Sequence, residues 1–388
     1  MSIRPIVLLF IFHAFVPATF SQEAKNRTAD SLSKKPGESR WNVKTDSLFV
    51  HDNSNLLSIT LPFASTYINV DLKDKRTNKV LQYRPHGDMT VGLDLSYKFL
   101  GLGYSVSTGS TAANDKTFGQ TRYTDYSIGL SGHMYTLDLY YEDFQGFYLY
   151  NYKTFPQTSK ADTSRIFPQR SDMRTLSVGG AFNYIQNYKK FSYKAAFGNS
   201  EEQLKSAGSF LFGTYVSNFD LSADSGLVFG KFKHSLSGYS NIDHSRTFNA
   251  GFCIGYIYTL VLKHHWYATL ALNPGLSYLY YDSHAFGPTD TTKLSKDSTW
   301  QVKTSANLGF RLQSRFALGY NSPKWYMGIN LAGDAFFQNV SITRSSLDYK
   351  VGSIRFYFGY RFNVPCLNKI WSKHSSGQHI NIDAGSST

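Results

Sequence analysis

Cysteine is almost absent from this chain: Cys253 and Cys366 are the only two in 388 residues, so disulfides do not hold the fold together. Cys253 falls inside a strand pattern and Cys366 beyond the last one, which speaks against pairing. No Cys/His spacing suits structural zinc, and no cofactor motif is present. Gly101-Leu102-Gly103 lacks the following helix pattern that a nucleotide loop requires. Past the first 21 residues no apolar run approaches the roughly 18 residues of a transmembrane helix. Hydrophobic residues make up only 41% of the chain, below the roughly 45–50% of a typical globular protein. These shortages exclude a disulfide scaffold, a zinc module and a helical membrane protein.

Aromatic residues, by contrast, reach 16%. They occur in alternation. Ala250, Phe252, Ile254, Tyr256, Tyr258 and Leu260 share one face, opposed by Asn249, Gly251, Cys253, Gly255 and Thr259. After Lys263-His264-His265, Trp266, Ala268, Leu270, Leu272 and Leu276 oppose Tyr267, Thr269, Ala271, Asn273, Gly275 and Ser277. A period of two puts each set on its own side of a strand. The weaker face is small and neutral, without the Lys and Glu of a solvated sheet. That pattern fits a strand with lipid on one side and a polar lumen on the other. A secreted soluble β-sandwich, the least favoured alternative, would carry more charge on its outer faces.

Arg4, the apolar run Ile6 to Val16 and the small-residue stretch Ala18 to Ser21 read as a secretory signal over residues 1–21. Residues 22–55 are polar and read as a mobile periplasmic tail, with a folded-back plug as the alternative. The barrel is expected over 56–363, with 364–388 as a C-terminal extension. Strand patterns fall near 57–63, 90–99, 102–106, 121–131, 133–144, 174–185, 191–198, 207–218, 249–262, 266–280, 300–319, 325–337 and 349–362. Their number is odd, whereas bacterial barrels have even numbers. Long and short connections alternate only if one more strand crosses between 219 and 248, with Leu227, Phe229, Phe232 and Leu236 as its candidates. The expectation is therefore an all-β fold: a closed antiparallel transmembrane β-barrel of about 14 strands, with 12 as the alternative. Short turns would lie in the periplasm and long loops outside the cell. The formal net charge of +13 points to outer-membrane lipid and lipopolysaccharide as counter-charge rather than nucleic acid, which an exported protein rarely meets.

Several blocks carry a resemblance. They include Tyr83-Arg84-Pro85-His86, Tyr140 to Tyr148, Arg170-Ser171-Asp172-Met173, the long run Asn187 to Gly213 and Gly359-Tyr360-Arg361-Phe362. Over about residues 55–363 the chain resembles an uncharacterised outer-membrane β-barrel family of the Bacteroidota, known as domain of unknown function four-four-two-one. The resemblance implies fold and location in the outer membrane of a Gram-negative bacterium; it brings no reaction or ligand.

Two constellations are candidate sites. Lys303, Asn307 and Arg311 point inward if Val302, Leu308 and Phe310 face lipid, and Arg355 and Arg361 do the same on the last strand. Asp94, Asp138 and Glu142 offer counter-charges. Together they read either as a net basic passage for small polar or anionic solutes or as ion pairs bracing the wall. The second constellation is Arg170, Asp172 and Arg174 with Gln203 and Lys205, in segments expected to meet over the pore. A lumen filled by Tyr193, Tyr267 and Tyr357 would instead make a structural or surface-binding barrel. An outer-membrane lipid hydrolase ranks third. Adjacent Asp243-His244-Ser245 cannot face one another as a triad, and His133, His234 and His244 select no distant Ser. No enzyme activity is expected.

Overall fold

The computed structural model describes residues 44–369, apart from 88, 156–165, 225, 231, 233–235, 237–240, 287–298, 338–339 and 343–344. Residues 1–21, expected to be a secretory signal, residues 22–43 and the end of the C-terminal extension lie outside the described residues. Sixteen strands are described. The first eight are β1 (Val50–Asp52), β2 (Leu57–Asp74), β3 (Val80–Arg84), β4 (Thr90–Tyr97), β5 (Leu100–Ser107), β6 (Arg122–Ser131), β7 (Tyr135–Leu149) and β8 (Gln169–Ile185). The others are β9 (Glu201–Gln203), β10 (Ala207–Ser222), β11 (Asn241–Val261), β12 (Trp266–Phe286), β13 (Thr299–Asn321), β14 (Trp325–Phe337), β15 (Val340–Ile342) and β16 (Ser345–Phe362). One short helix, α1 (Ala112–Phe118), lies between β5 and β6.

Fourteen of these strands form one antiparallel sheet, and β16 returns to pair with β2 from Phe362–Leu57 to Ser345–Asp74. The sheet is thus a closed barrel, although β15 pairs only with β16 among the described residues. Fourteen is the expected number, but its members differ from those expected. The segment placed as a strand at 191–198 is a π-helical turn, Lys194–Gly198. No strand lies between β10 and β11 among the described residues. The extra members are the short strands β3 and β15, so twelve strands form the continuous wall.

The wall is uneven. Strands β11 to β13 run 21 to 23 residues, whereas β4 and β5 have only eight each. Beyond the short β4–β6 wall, β3 pairs with β2 on one side and with β7 on the other, through Tyr83–Leu149 and Arg84–Tyr148. There the ring passes β2–β3–β7, omitting β4, β5 and β6. The perimeter therefore falls from twelve strands at the turn end to ten at the loop end, and barrel width follows strand number.

Side chains follow the alternation. Phe252, Ile254, Leu270 and Leu272 are 55%, 52%, 53% and 48% exposed, members of an outward apolar band that continues through Leu93, Leu102, Ile128, Phe212, Phe356 and Phe358. Leaving such side chains in water would forgo about 1.5–3 kcal/mol each, and a band of this extent exceeds what soluble surfaces carry. Lipid accounts for it. Toward the loop end the faces exchange character. In β2 the outer row passes from Phe63 and Tyr67 to Asn69, Asp71 and Lys73, while the inner row passes from Thr60, Ala64 and Thr66 to Ile68, Val70 and Leu72. The same exchange occurs in β12, after outward Tyr278 and Tyr280, and in β16, where Lys350 and Asp348 succeed Ile354. Aromatic residues mark the membrane rim. Past it the barrel continues as a collar with apolar residues inside, as water-exposed β-structure requires.

Hairpin turns at the other end are tight. His264 and His265 both have positive φ, 59° and 67°, the geometry whose twist matches two paired strands. Lys98, with φ 55°, and Phe99 make the β4–β5 turn, two residues before the expected Leu100-Gly101. Within the segment expected to be a tail, the described residues include β1, which pairs with β9 across Val50–Gln203 and Asp52–Glu201.

Candidate functional site

Three layers fill the lumen. In the collar, Leu227, Val228, Phe232 and Leu236 from the β10–β11 connection pack against Ile68, Val70, Leu72, Leu81, Phe219 and Tyr349, all buried. Leu227, Phe232 and Leu236, together with the partly buried Phe229, are the residues expected to span the wall; instead they pack inside the collar, which accounts for their poor alternation. Its backbone is held by cation and phenol: Arg170 donates to the Leu227 carbonyl at 3.3 Å, Tyr83 donates to the same oxygen, and the Arg170 guanidinium lies 4.9 Å from the Phe229 ring.

At the turn end the β8–β10 connection folds inward. Lys194 meets Glu201 at 2.6 Å, His133 lies 3.1 Å from the same carboxylate, and Ser192 donates to it at 2.5 Å. Burial alone would push the Glu201 carboxyl up, but the hydrogen bond with His133 and the adjacent Lys194 charge outweigh it and hold the group at about 2. Asp52, His133 and Glu201 each bring one ligand atom within 4.8 Å of the others; Lys194 already supplies the cation there. Arg361 donates to the Asn199 and Ser322 carbonyls and to Asn321 Oδ1 at 2.6 Å. Tyr267 and Tyr357 hydrogen-bond to each other at 2.9 Å beside Asn199.

Between these layers lies a cavity of about 470 Å³. Its lining reaches Lys98 and Ser131 at the turn end and stops at Tyr123, Phe336 and Tyr349 below the collar. On the short wall it is bounded by small residues, Gly101, Gly103, Ser105, Ser127 and Gly129, whose lack of bulk leaves the space. Arg311 is paired with Asp334 at 2.8 Å and lies 4.1 Å from the Tyr215 ring; Arg355 is paired with Asp94. Arg315 donates to Tyr193 at 2.8 Å, and burial pushes that hydroxyl up to about 12, so it accepts as a neutral phenol. Five carboxylates line the cavity: Asp94, Asp125, Asp138, Glu142 and Asp334. Of the lining cations, Lys194 is committed to Glu201 and Lys98 sits in the β4–β5 turn, leaving Arg311, Arg315 and Arg355.

Where the sequence led us to expect a net basic lumen, the cavity lining is balanced, with five acidic side chains against five basic ones. Arg311 and Arg355 do point inward. Arg361 is inside too, but as a clamp on backbone carbonyls. Lys303 pairs with Asp282, past a register irregularity between Leu279 and Tyr281, and its side chain lies outside the described residues. The second constellation is not brought together. Arg170 and Asp172 form a bidentate pair at 2.8 and 2.7 Å in the collar. Arg174 is outward, half-exposed and paired with Asp143 at 2.8 Å. Gln203 and Lys205 are at the opposite end of the barrel, because the β8–β10 connection is a turn-end insert and not a loop over the pore. Gln203 is buried and donates to the Phe49, Lys190 and Lys205 carbonyls at 3.1, 2.7 and 3.0 Å. Lys205 is exposed with its ammonium 5.4 Å from the Phe49 ring.

Asp125, Arg315 and Asp334 were not anticipated. Strand alternation contained the first two: Asp125 shares its row with Tyr123 and Ser127, and Arg315 shares that of Arg311. Of the triad-type residues, Ser245 is buried against Ser283 at 2.7 Å, while His244 lies on the other row, 3.6 Å from Asp220. His234 lies outside the described residues. Cys253 and Cys366 are free, one buried and one exposed.

A family model described as Domain of unknown function (DUF4421) matches residues 44–362. A search of curated proteins finds no match. Among solved structures, the chain is similar to the outer membrane protease OmpT from Escherichia coli, at 6% identity and TM-score 0.34, covering 80% of this chain and 98% of that one. It is also similar to the beta domain of the Bordetella autotransporter BrkA, at 11% identity and TM-score 0.33, with 78% and 99% covered. A third is the Pseudomonas putida toluene transporter TodX, at 8% identity and TM-score 0.26, with 80% and 90% covered.

Proposed function

Since the chain belongs to the DUF4421 family, which carries no assigned reaction, function has to be argued from the lumen, and we propose an outer-membrane barrel that admits small polar solutes to its central cavity. The observation that carries this reading is the cavity itself: about 470 Å³, within the size range of small-molecule sites, of mixed polar and apolar lining, and lined as far as the turn-end residues Lys98 and Ser131. In this reading the turn end faces the periplasm and the collar faces outward. Exposed Lys73 and Lys350, just past the aromatic rim, would meet anionic headgroups of lipid or lipopolysaccharide. Complete passage requires the collar segment around Leu227 and Phe232 to move.

The test is solute uptake by proteoliposomes. Wild-type protein should admit glucose-sized solutes slowly, and Phe232→Asp, which places a charge in the apolar collar, should raise uptake severalfold. Failure of both proteins to admit any solute would remove the passage reading. A structural barrel is the second reading, favoured by the pairing of Arg311 with Asp334 and Arg355 with Asp94, since paired lumen charges brace a wall without a ligand.

A further inference from the structure

We propose that the cavity selects small organic ammonium compounds, an inference that rests on the cavity being a solute site. Asp125 and Glu142 stand directly opposite each other on β6 and β7, both on the inward row. Asp138 follows on the same row of β7, and all three line the cavity. Among the described residues, none of the three forms an ion pair within 4.0 Å, whereas Asp94 and Asp334 each have an arginine. Two acidic groups placed directly across a strand pair resist ionising together, and a bound cation relieves that cost.

A second observation comes from β10, two strands along the same wall. Ser217 on β10 is only 4% exposed, lines the same space, and its Oγ has no hydrogen-bond partner. One Asp138 carboxylate oxygen, Oδ2, is likewise buried without a partner. Buried polar atoms without partners are uncommon in folded proteins, and both residues line the cavity. A bound ammonium group supplies several N–H donors for the carboxylates, and a hydroxyl or second amine at its other end reaches Ser217. A bare divalent ion suits the site less well. It requires six or more converging oxygens at about 2.0–2.6 Å, whereas these groups line a far larger space.

The experiment is calorimetric titration of the full barrel in detergent with putrescine, glucosamine, glucose, acetate and calcium chloride. The amines should bind, and the pair Asp125→Asn with Glu142→Gln should weaken them by about tenfold or more while leaving heat-modifiable migration intact. A single Ser217→Ala variant should weaken glucosamine more than putrescine if its hydroxyl is the far contact. Glucose binding that equals amine binding, or survives the double variant together with it, would overturn the ammonium assignment while keeping the cavity as a solute site. Calcium or acetate binding in place of the amines would also overturn it. No binding by any probe would remove both readings.

Discussion

Two inserted segments occupy the lumen, and they are built from opposite chemistry. Residues 227–232 in the collar bury Leu227, Val228 and Phe232 among aliphatic and aromatic side chains, with two donors fixing one carbonyl. Residues 191–203 at the turn end are held by Lys194, Glu201, His133, Gln203 and Arg361 through ion pairs and charge-assisted hydrogen bonds. The difference lies in what surrounds each. Beyond the membrane rim the collar is surrounded by water and behaves as a small hydrophobic core. Within the membrane the outer face is apolar, so the inner face carries the polar residues, and an insert there must match them.

That contrast can be broken from either side. The largest effect is expected in the collar: Phe232→Ala removes a fully buried ring and should cost about 3–5 kcal/mol, read as a lower guanidinium midpoint in detergent. An unchanged midpoint would mean that the segment is not part of the folded core. Acid should act on the turn end alone. The folded Glu201 carboxyl is held at about 2, below its ordinary 4.5. Its contribution is therefore complete above about pH 4.5 and is lost as pH falls toward about 2. Amides of Ser192 to Gln203 should exchange faster over that interval while those of Ile68 to Leu72 do not; equal acceleration at both sites would contradict the division. The smallest effect separates two arginines on one strand. Arg174→Ala removes a pair that is half-exposed and should change stability by less than about 0.5 kcal/mol. Arg170→Ala, which strips a donor from the buried Leu227 carbonyl, should cost about 2–3 kcal/mol. Similar midpoints for the two variants would show that the carbonyl contact is dispensable.

Barrel topology was legible because a period of two is maintained across long strands, with small residues such as Gly275 and Ser277 inside and Phe252 and Leu270 outside. The composition of the lumen was less legible. Alternation assigns a residue to a face, but not to a height along the barrel, and in β2 the meaning of each face changes after Tyr67. Treating that pattern as uniform hid the collar core of Ile68, Val70 and Leu72. The two inserts failed for a related reason: Phe191 to Phe197 and Leu227 to Leu236 are hydrophobic enough to resemble strands, yet they are surrounded by barrel rather than added to its wall. Pairings such as Arg355 with Asp94, 261 residues apart, depend on the closed ring and have no local signature.

The bridge that β3 makes between β2 and β7 gives the barrel wall a wide belly at the turn end and a narrower neck at the loop end. That neck has a girth fixed by backbone hydrogen bonds. Trimming surface loops would leave it as narrow as before, whereas unzipping the contacts of Tyr83 with Leu149 and Arg84 with Tyr148 would let it broaden toward the width of the belly.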